Sequence, residues 1–357
     1  MEKIMLFQTA IDSYRERFFT ELQNRNLNLS ISCGDTYFTE SVRTRITHPH
    51  NTLRNKYFFK RRLLFQFGAI SIARGNKKIV IEMNPRIISN WILILLSICK
   101  RQELFVWGHF YGRSNDAIQI SIWRRLMCIL ATGGILAYTN VEQQLFLREF
   151  PKKRVYSVTN SLYFKKDIRP IQFEEDARDF AYCGRLDEDK QVGDLIWAFK
   201  NVLESGLVDS RLHIIGDGPQ LSKLKQIVEK SKIEKNIIFH GYITNVATLR
   251  SIFSQCCAQV TNGFVGLNVV QCLGFQLPLI YPEKAKFRHA PESYLLNAEN
   301  SIATEGTIES FAMTISRMYL NRKYWHGLRG NISSAVLDNH TIERMADGFM
   351  GVLSEAR

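Results

Sequence analysis

The residues with chemistry to offer gather in the second half of the chain. "YCGRLDEDKQVGDLI" ends a short apolar strand at Gly184 and places Arg185 and Lys190 on the loop just past it. Two cations at the carboxyl end of a strand suit a diphosphate. "HIIGDGPQLSKL" carries a strand into a Gly-Asp-Gly-Pro turn that begins at Gly216. Turn chemistry alone accounts for that pattern, with Asp217 as a cap and Pro219 in the first helical turn. In "IIFHGYI", Gly241 and Tyr242 leave a strand end and are placed to flank a nucleobase. In "NGFVGLNVVQCLGFQLPLIYP", residues 262–282, Gly266-Leu267-Asn268 opens an apolar helix directly after a strand. Such a junction presents backbone N–H groups to an anion. No carboxylate lies between Asn262 and Pro282. A ligand's hydroxyl groups would therefore have to be met by something other than an acidic side chain.

These loops need strands to hold them, and the sequence alternates strand and helix almost throughout. Lys3–Phe7, Leu27–Cys33, "KIVIE" (78–82), "ELFVW" (103–107), Gly134–Tyr138 and Val155–Val158 read as short strands. Those with continuous apolar runs are of the kind buried in a parallel sheet. Tyr14–Arg25 reads as a helix. The rhythm starts afresh at Asp179, with "FAYC" (180–183), "LHIIG" (212–216), "IIFHG" (237–241), "AQVT" (258–261) and "LPLIY" (277–281) as strands. Two runs of alternating β and α predict two doubly wound, Rossmann-like domains with ligands at the carboxyl ends of the strands. The break falls in the charged, Pro170-containing stretch 161–177. The expected division is 1–165, 166–340 and a terminal helix, 341–357, packing back toward the N-terminal domain.

A chain of 357 residues with 45% apolar and 23% charged residues is an ordinary globular composition, not a disordered one. The net charge of +13 is unevenly placed. Up to Lys166 there are 26 Lys and Arg against 11 Asp and Glu, or +15; the remainder has 21 against 23, or −2. Nucleic acid or an anionic membrane surface could answer such an excess. No nucleic-acid module accompanies the charge, so nucleic acid is not expected as a partner. The seven cysteines form no CxxC pair and no secretory h-region is read at the N-terminus, which points to reduced cytosolic thiols. The apolar runs Ile87–Cys99 and Leu126–Tyr138 are shorter than the ~20 residues that span a bilayer. Both are expected to be buried elements of a soluble core.

The segment 43–67 interleaves Arg43, Arg45, Arg54, Lys56, Lys60, Arg61 and Arg62 with Tyr57, Phe58, Phe59 and Phe65. It reads either as a contact with an anionic bilayer surface or as a solvated helix face whose aromatics pack inward.

Taken as a set, GRLDEDK (184–190), IIGDGP (214–219), FHG (239–241), VGLNVVQCLGFQLPLI (265–280) and APE (290–292) resemble family 4 of the retaining glycosyltransferases, which have the GT-B fold. The match covers roughly residues 178–300. More loosely, "SYRERFFTEL", "MNPRIISNWILIL" and "VWGHFYGR" resemble a branch that includes enzymes of bacterial surface polysaccharide assembly. The resemblance implies two domains facing a cleft. In it Arg185 and Lys190 hold the donor's diphosphate, and the amides of Gly266 and Leu267 bind phosphate or sugar oxygens. Gly184, Gly216, Gly241 and Tyr242 join them on the donor side, and His109 faces the reacting sugar. The family usually carries two glutamates eight positions apart; Gly263 and Gln271 stand at those positions here. Gln271 can still hydrogen-bond a ribose diol, while Asn268, Asn262 or a backbone amide must replace the first glutamate's sugar contact.

The expected function is transfer of a sugar from a nucleotide-diphosphate sugar, with retention, to a lipid-linked or saccharide acceptor in lipopolysaccharide, capsule or exopolysaccharide assembly. Tyr14, Arg15, Arg86 and Arg113 are the acceptor-side candidates. No metal is expected, because basic residues supply charge at the phosphates and Asp187-Glu188-Asp189 reads as a solvated turn. No other cofactor is expected. The protein is expected in the cytoplasm, peripheral on the inner face of the cytoplasmic membrane. The alternatives are another sugar-nucleotide reaction such as a 2-epimerase, or a binding protein that lost its chemistry with the two glutamates.

Overall fold

The computed structural model describes residues 3–40, 42–112, 119–168, 170–206 and 209–354. It divides into two compact units, one running to Leu162 and resuming at His340, the other Tyr163–Asn339.

The first unit carries β1 (Ile4–Gln8), α1 (Glu16–Asn24), β2 (Leu29–Cys33), β3 (His50–Thr52), β4 (Arg54–Phe58), β5 (Leu63–Phe67) and α2 (Ala69–Ala73). There follow β6 (Lys78–Glu82), α3 (Ile88–Cys99), β7 (Glu103–Trp107), α4 (Ile122–Leu130), β8 (Gly134–Ala137), α5 (Asn140–Glu149) and β9 (Val155–Ser157). Seven strands form a parallel sheet in the order β3-β2-β1-β6-β7-β8-β9. Its central strands are buried on both faces, which is why "KIVIE" and "ELFVW" are nearly all apolar.

The second unit carries β10 (Asp179–Cys183), α6 (Val192–Glu204), β11 (Leu212–Ile215), α7 (Leu221–Ser231), β12 (Ile237–Gly241), α8 (Val246–Phe253), β13 (Cys256–Val260) and α9 (Leu267–Gly274). Then come β14 (Leu279–Pro282), β15 (Ser301–Thr304), α10 (Ile308–Leu320), α11 (Arg322–Ile332) and α12 (Ser334–Asn339). Its parallel sheet runs β12-β11-β10-β13-β14-β15. Both sheets are doubly wound. The direction of winding reverses between β1 and β6 in one and between β10 and β13 in the other, and each reversal opens a crevice at the carboxyl ends of those strands.

The last helix, α13 (Ile342–Ser354), packs against α1 and β9. Phe349 lies against Phe18 and Trp107. The buried Lys78 ammonium donates to Val352 O at 3.0 Å and lies 3.5 Å from Glu103. A cation at a helix C-terminus satisfies an orphan carbonyl and complements the helix dipole.

The structure revises two expectations. Segment 43–67 is not a helix. It contains a two-stranded antiparallel hairpin, β4–β5, turned by Phe59, Lys60 and Arg61, all with positive φ. Arg61 lies 3.8 Å over the Tyr57 ring and donates to Phe38 O, while Phe59 at the tip is exposed. Nor are the runs Ile87–Cys99 and Leu126–Tyr138 wholly buried. The helices α3 and α4 bury one face in the core, but Leu95, Ile98, Ile122, Trp123, Leu126 and Ile129 are exposed on the other. No helix among the described residues is long and apolar enough to cross a membrane.

Lys78→Ala is expected to destabilise the first unit by about 2–3 kcal/mol, since it removes a buried charge-assisted hydrogen bond and leaves a void. Urea unfolding followed by circular dichroism measures it; an unchanged midpoint would show that α13 is held without this contact.

Candidate functional site

The crevice between β10 and β13 gathers the second unit's chemistry. Past β10, Arg185 and Lys190 occupy the loop that leads into α6. The Arg185 guanidinium, partly exposed, pairs with Asp187 at 3.3 Å. Past β13, Gly263 meets that loop directly. A Cβ there would lie 2.8 Å from Asp189 O, 2.9 Å from Lys190 Cα and 3.0 Å from Lys190 Cδ. Only glycine fits without displacing the loop. The Lys190 ammonium then reaches across the next residue, donating to Phe264 O at 2.8 Å and lying 3.6 Å from the Phe264 ring centroid.

The neighbouring strand ends brace this loop. A Cβ at Gly216, which has φ of 148°, would meet Gly184 O, and one at Gly218 would lie 2.7 Å from Leu186 O. Leu186 N donates to Asp217 O, and Gln220 N to Leu186 O. The Gly-Asp-Gly-Pro turn thus acts as a bed for the Arg185 loop, and Asp217 caps its own turn by accepting from Gly218 N at 2.7 Å. Gly216 N donates to Gly241 O. Tyr242, just beyond, is exposed.

Gly266 is the N-cap of α9, but its N–H is taken by Asn268 Oδ1 at 2.8 Å. The outward amides of the first turn are therefore those of Leu267 and Asn268. Asn268 shapes the turn. Gln271 is 8% exposed and donates to Tyr163 Oη at 2.7 Å. It is held inside the unit rather than presented to solvent. The buried Asn262 has a side-chain nitrogen, Nδ2, with no hydrogen-bond partner among the described residues. An orphan donor beside the turn is the kind of group a ligand oxygen satisfies. The acidic residues of the loop face cations: Asp187 on Arg185, and Asp189 on Lys286 at 3.0 Å.

His289 pins the turn from the other side. Its Nδ1 accepts from Val265 N at 3.1 Å, and Nε2 donates to Pro282 O at 3.0 Å. Burial holds its pKa below the ordinary histidine value, against the raising effect of the two backbone carbonyls. A cavity of about 400 Å³ opens beside it, lined by Glu283, Lys284, Phe287, Arg288, His289 and Ser293.

In the first unit the crevice lies between β1 and β6, where Thr9 Oγ1 donates to Glu82 Oε2 at 2.7 Å. His109 follows β7. Its Nδ1 lies 3.4 Å from Glu142 Oε2, and its ring packs against Tyr138 at 4.5 Å between centroids. The buried Glu142 also accepts from Phe110 N at 2.7 Å. Arg124 donates to His109 O and Tyr111 O. Glu142, which orients the histidine, escaped the sequence reading. Its signal was Thr139-Asn140-Val141-Glu142, a capping-box pattern. Thr139 does cap Glu142 N, but the carboxylate turns outward to His109 instead of back to the cap.

The acceptor-side candidates separate. Tyr14 is partly exposed. Arg15 is buried, stacked over Tyr14, Trp107 and Tyr138 and reaching Met345 Sδ, which commits it to packing. Arg86 clamps the hairpin turn through Arg61 O and Arg62 O and lies over Phe38. Arg113 lies outside the described residues.

With this geometry in view, residues 164–331 match the family model described as "Glycosyl transferases group 1". Among curated proteins, the chain is 26% identical over 138 residues to N-acetyl-alpha-D-glucosaminyl L-malate synthase of Bacillus anthracis, covering 36% of each. It is 23% identical over 240 residues to lipopolysaccharide 1,6-galactosyltransferase of Salmonella typhimurium, covering 64% of this chain and 62% of that one. The matched stretches span less than two thirds of these relatives' lengths. Solved structures share the fold at low identity. TarM of S. aureus, in complex with fondaparinux, alpha-GlcNAc-glycerol and UDP, aligns with a TM-score of 0.69 at 10% identity over 99% of this chain and 100% of that one. HepE of Anabaena, in complex with UDP and glucose, aligns with a TM-score of 0.67 at 12% identity over 99% and 100%. The two Rossmann-like units are those of the GT-B fold.

Gly263→Ala is expected to cost about 1–3 kcal/mol, because the Asp189–Lys190 backbone must move; chemical denaturation measures it, and wild-type stability would show the contact to be soft. His289 supplies a pH test. Its folded pKa lies below its unfolded value, so its contribution to stability is present above the unfolded pKa of about 6.5 and is lost as pH falls through the folded one. The melting temperature is expected to fall on acidification, and to fall less in His289→Gln; parallel falls would clear His289 of the effect.

Proposed function

We infer that this chain, whose residues 164–331 match the glycosyl transferases group 1 family model, moves a sugar from a nucleoside-diphosphate sugar to an acceptor, with retention at the anomeric carbon. The observation that carries the reading is the winding reversal between β10 and β13. There Arg185, Lys190, the glycine turn and the start of α9 come together around one crevice. Arg185 offers charge where the leaving diphosphate develops it, and the amides of Leu267 and Asn268 offer donors at the positive end of a helix. Asn262 Nδ2, buried without a partner among the described residues, is the group proposed to meet a donor oxygen in place of a carboxylate. With these cations at the phosphates, the reading takes no metal and no other cofactor.

In the first unit, His109, oriented by Glu142, is proposed to face the reacting sugar. Tyr14 and Arg113 remain the acceptor-side candidates. The acceptor is proposed to be lipid-linked or a saccharide, in lipopolysaccharide, capsule or exopolysaccharide assembly, with the protein peripheral on the inner face of the cytoplasmic membrane. The Salmonella relative is named as a lipopolysaccharide galactosyltransferase, and the +15 excess of the first part of the chain favours an anionic surface. A second reading has one observation in its favour. Gly263 has no room for a side chain and Gln271 is engaged by Tyr163, so neither position offers a ligand a carboxylate. A binding protein without turnover would look the same there.

The test is nucleotide release from UDP-, GDP-, ADP- and CMP-sugars, with and without lipid-linked saccharides. Turnover with one donor is expected, unaffected by chelator, and lowered about 100-fold or more in a folded Arg185→Ala variant. Binding without turnover for every pair would favour the second reading, and full activity in Arg185→Ala would remove the first.

A further inference from the structure

The exposed apolar side chains of α3 and α4 form a pattern. On α3, Trp91, Leu95 and Ile98 follow i, i+4, i+7 spacing; on α4, Ile122, Leu126 and Ile129 do the same, with Trp123 beside them. The two helices are in contact, and Trp91 meets Trp123 edge-on at 6.1 Å. Two stripes at helical spacing thus join into one face. Trp91 is half-buried against the core, but relative exposures of the other six run from 37% at Leu126 to 70% at Ile122, so the core does not cover the face. A contiguous apolar face of this kind marks a contact surface, where scattered apolar residues would not.

Its charge says what it meets. Residues 88–101 and 121–131 contain no Asp or Glu. The exposed Lys100 and Arg101 follow α3. At the end of α4, Lys153 donates to Ile129 O and Ala131 O, bringing the exposed Lys152 alongside. The cationic rim therefore stands at the C-terminal ends of both helices. An apolar stripe edged by cations matches the boundary between acyl chains and anionic headgroups, where a Trp side chain also settles. A second copy of this chain fits less well. Meeting through this face, two copies would bring together two units that each carry the excess of Lys and Arg.

We propose that the α3–α4 face docks the first unit onto a bilayer containing anionic phospholipid. The hairpin tip at Phe59 and Lys60 is then not the principal anchor. The face is well placed for an amphipathic contact because both helices are also anchored inward, α3 on β5 and β7 and α4 through the buried Met127 and Cys128, so docking requires no unfolding. The proposal needs no nucleotide or sugar chemistry and stands or falls apart from the donor-site reading.

The experiment is co-sedimentation of the full chain with phosphatidylcholine vesicles and with phosphatidylcholine/phosphatidylglycerol vesicles. Three variants accompany the wild type: Ile98→Glu/Ile122→Glu, the milder Ile122→Ser, and Phe59→Ser/Lys60→Ser at the hairpin tip. All substituted residues are at least partly exposed, and circular dichroism checks the fold. The wild type is expected to bind the anionic vesicles in preference to the neutral ones. The double glutamate variant is expected to lose roughly tenfold in partitioning, Ile122→Ser to lose less, and the hairpin variant to bind as the wild type does. The proposal is overturned by absence of wild-type binding, by undiminished binding of the double variant, or by loss confined to the hairpin variant. It is equally overturned by a wild-type dimer in gel filtration that Ile98→Glu/Ile122→Glu dissociates.

Discussion

The second unit depends on one close approach, the backbone of Asp189 and Lys190 against the bare Cα of Gly263. Two loops from neighbouring strands meet there with no side chain between them. That contact fixes where Lys190 can go, and Lys190 in turn ties down Phe264 and the turn before α9. Gly216 and Gly218 repeat the device one strand further out, where the Gly-Asp-Gly-Pro turn supports Leu186 and so the Arg185 loop. The Arg185–Lys190 loop is thus framed by glycine contacts on two sides. The same geometry removes the room a carboxylate at position 263 would need.

The first unit solves the corresponding problem with side chains. Thr9 and Glu82 close the crevice at its own winding reversal, and Glu142 reaches from the start of α5 to hold His109 and the Phe110 amide. Arg124 fixes the backbone around that histidine from the other direction. Behind the sheet, Lys78 fastens the returning α13 by the Val352 carbonyl, and Arg15 fills the space between Trp107, Tyr138 and Met345. Arg15 shows how a basic residue near a sheet's carboxyl end can be spent on packing, while the exposed Arg86 braces the hairpin turn.

Much of this was legible in the sequence because buried parallel strands leave a plain trace. "KIVIE", "ELFVW" and "IIFHG" are strands at the bounds read from their apolar runs. The loops after β10, β11 and β13 were located by glycines that the structure then uses for close contact. The hairpin β4–β5 left no such trace. Its turn, Phe59-Lys60-Arg61, lacks the Gly or Asn that usually signals positive φ, and its partners lie in Thr36–Phe38, distant in sequence. β15, "SIAT", is a short edge strand with too few residues to show a period. Glu142 carried no mark of a site residue, since Thr139-Asn140-Val141-Glu142 fits a helix cap equally well. The α3 and α4 runs misled for a different reason: a continuous apolar run suggests burial on all sides, and only the fold shows that one face stays exposed among the described residues.

The central claim is that the crevice between β10 and β13 holds a nucleoside diphosphate without a carboxylate to help it. A thermal-shift panel of the intact chain against UDP, GDP, ADP and CMP, followed by the sugars of whichever diphosphate acts, tests it most directly. Binding raises apparent stability by about 2.7 kcal/mol at a hundredfold excess over the dissociation constant. The account predicts a rise with one diphosphate, no comparable rise with the monophosphate, and a further rise with one of its sugars. No rise with any diphosphate would contradict it.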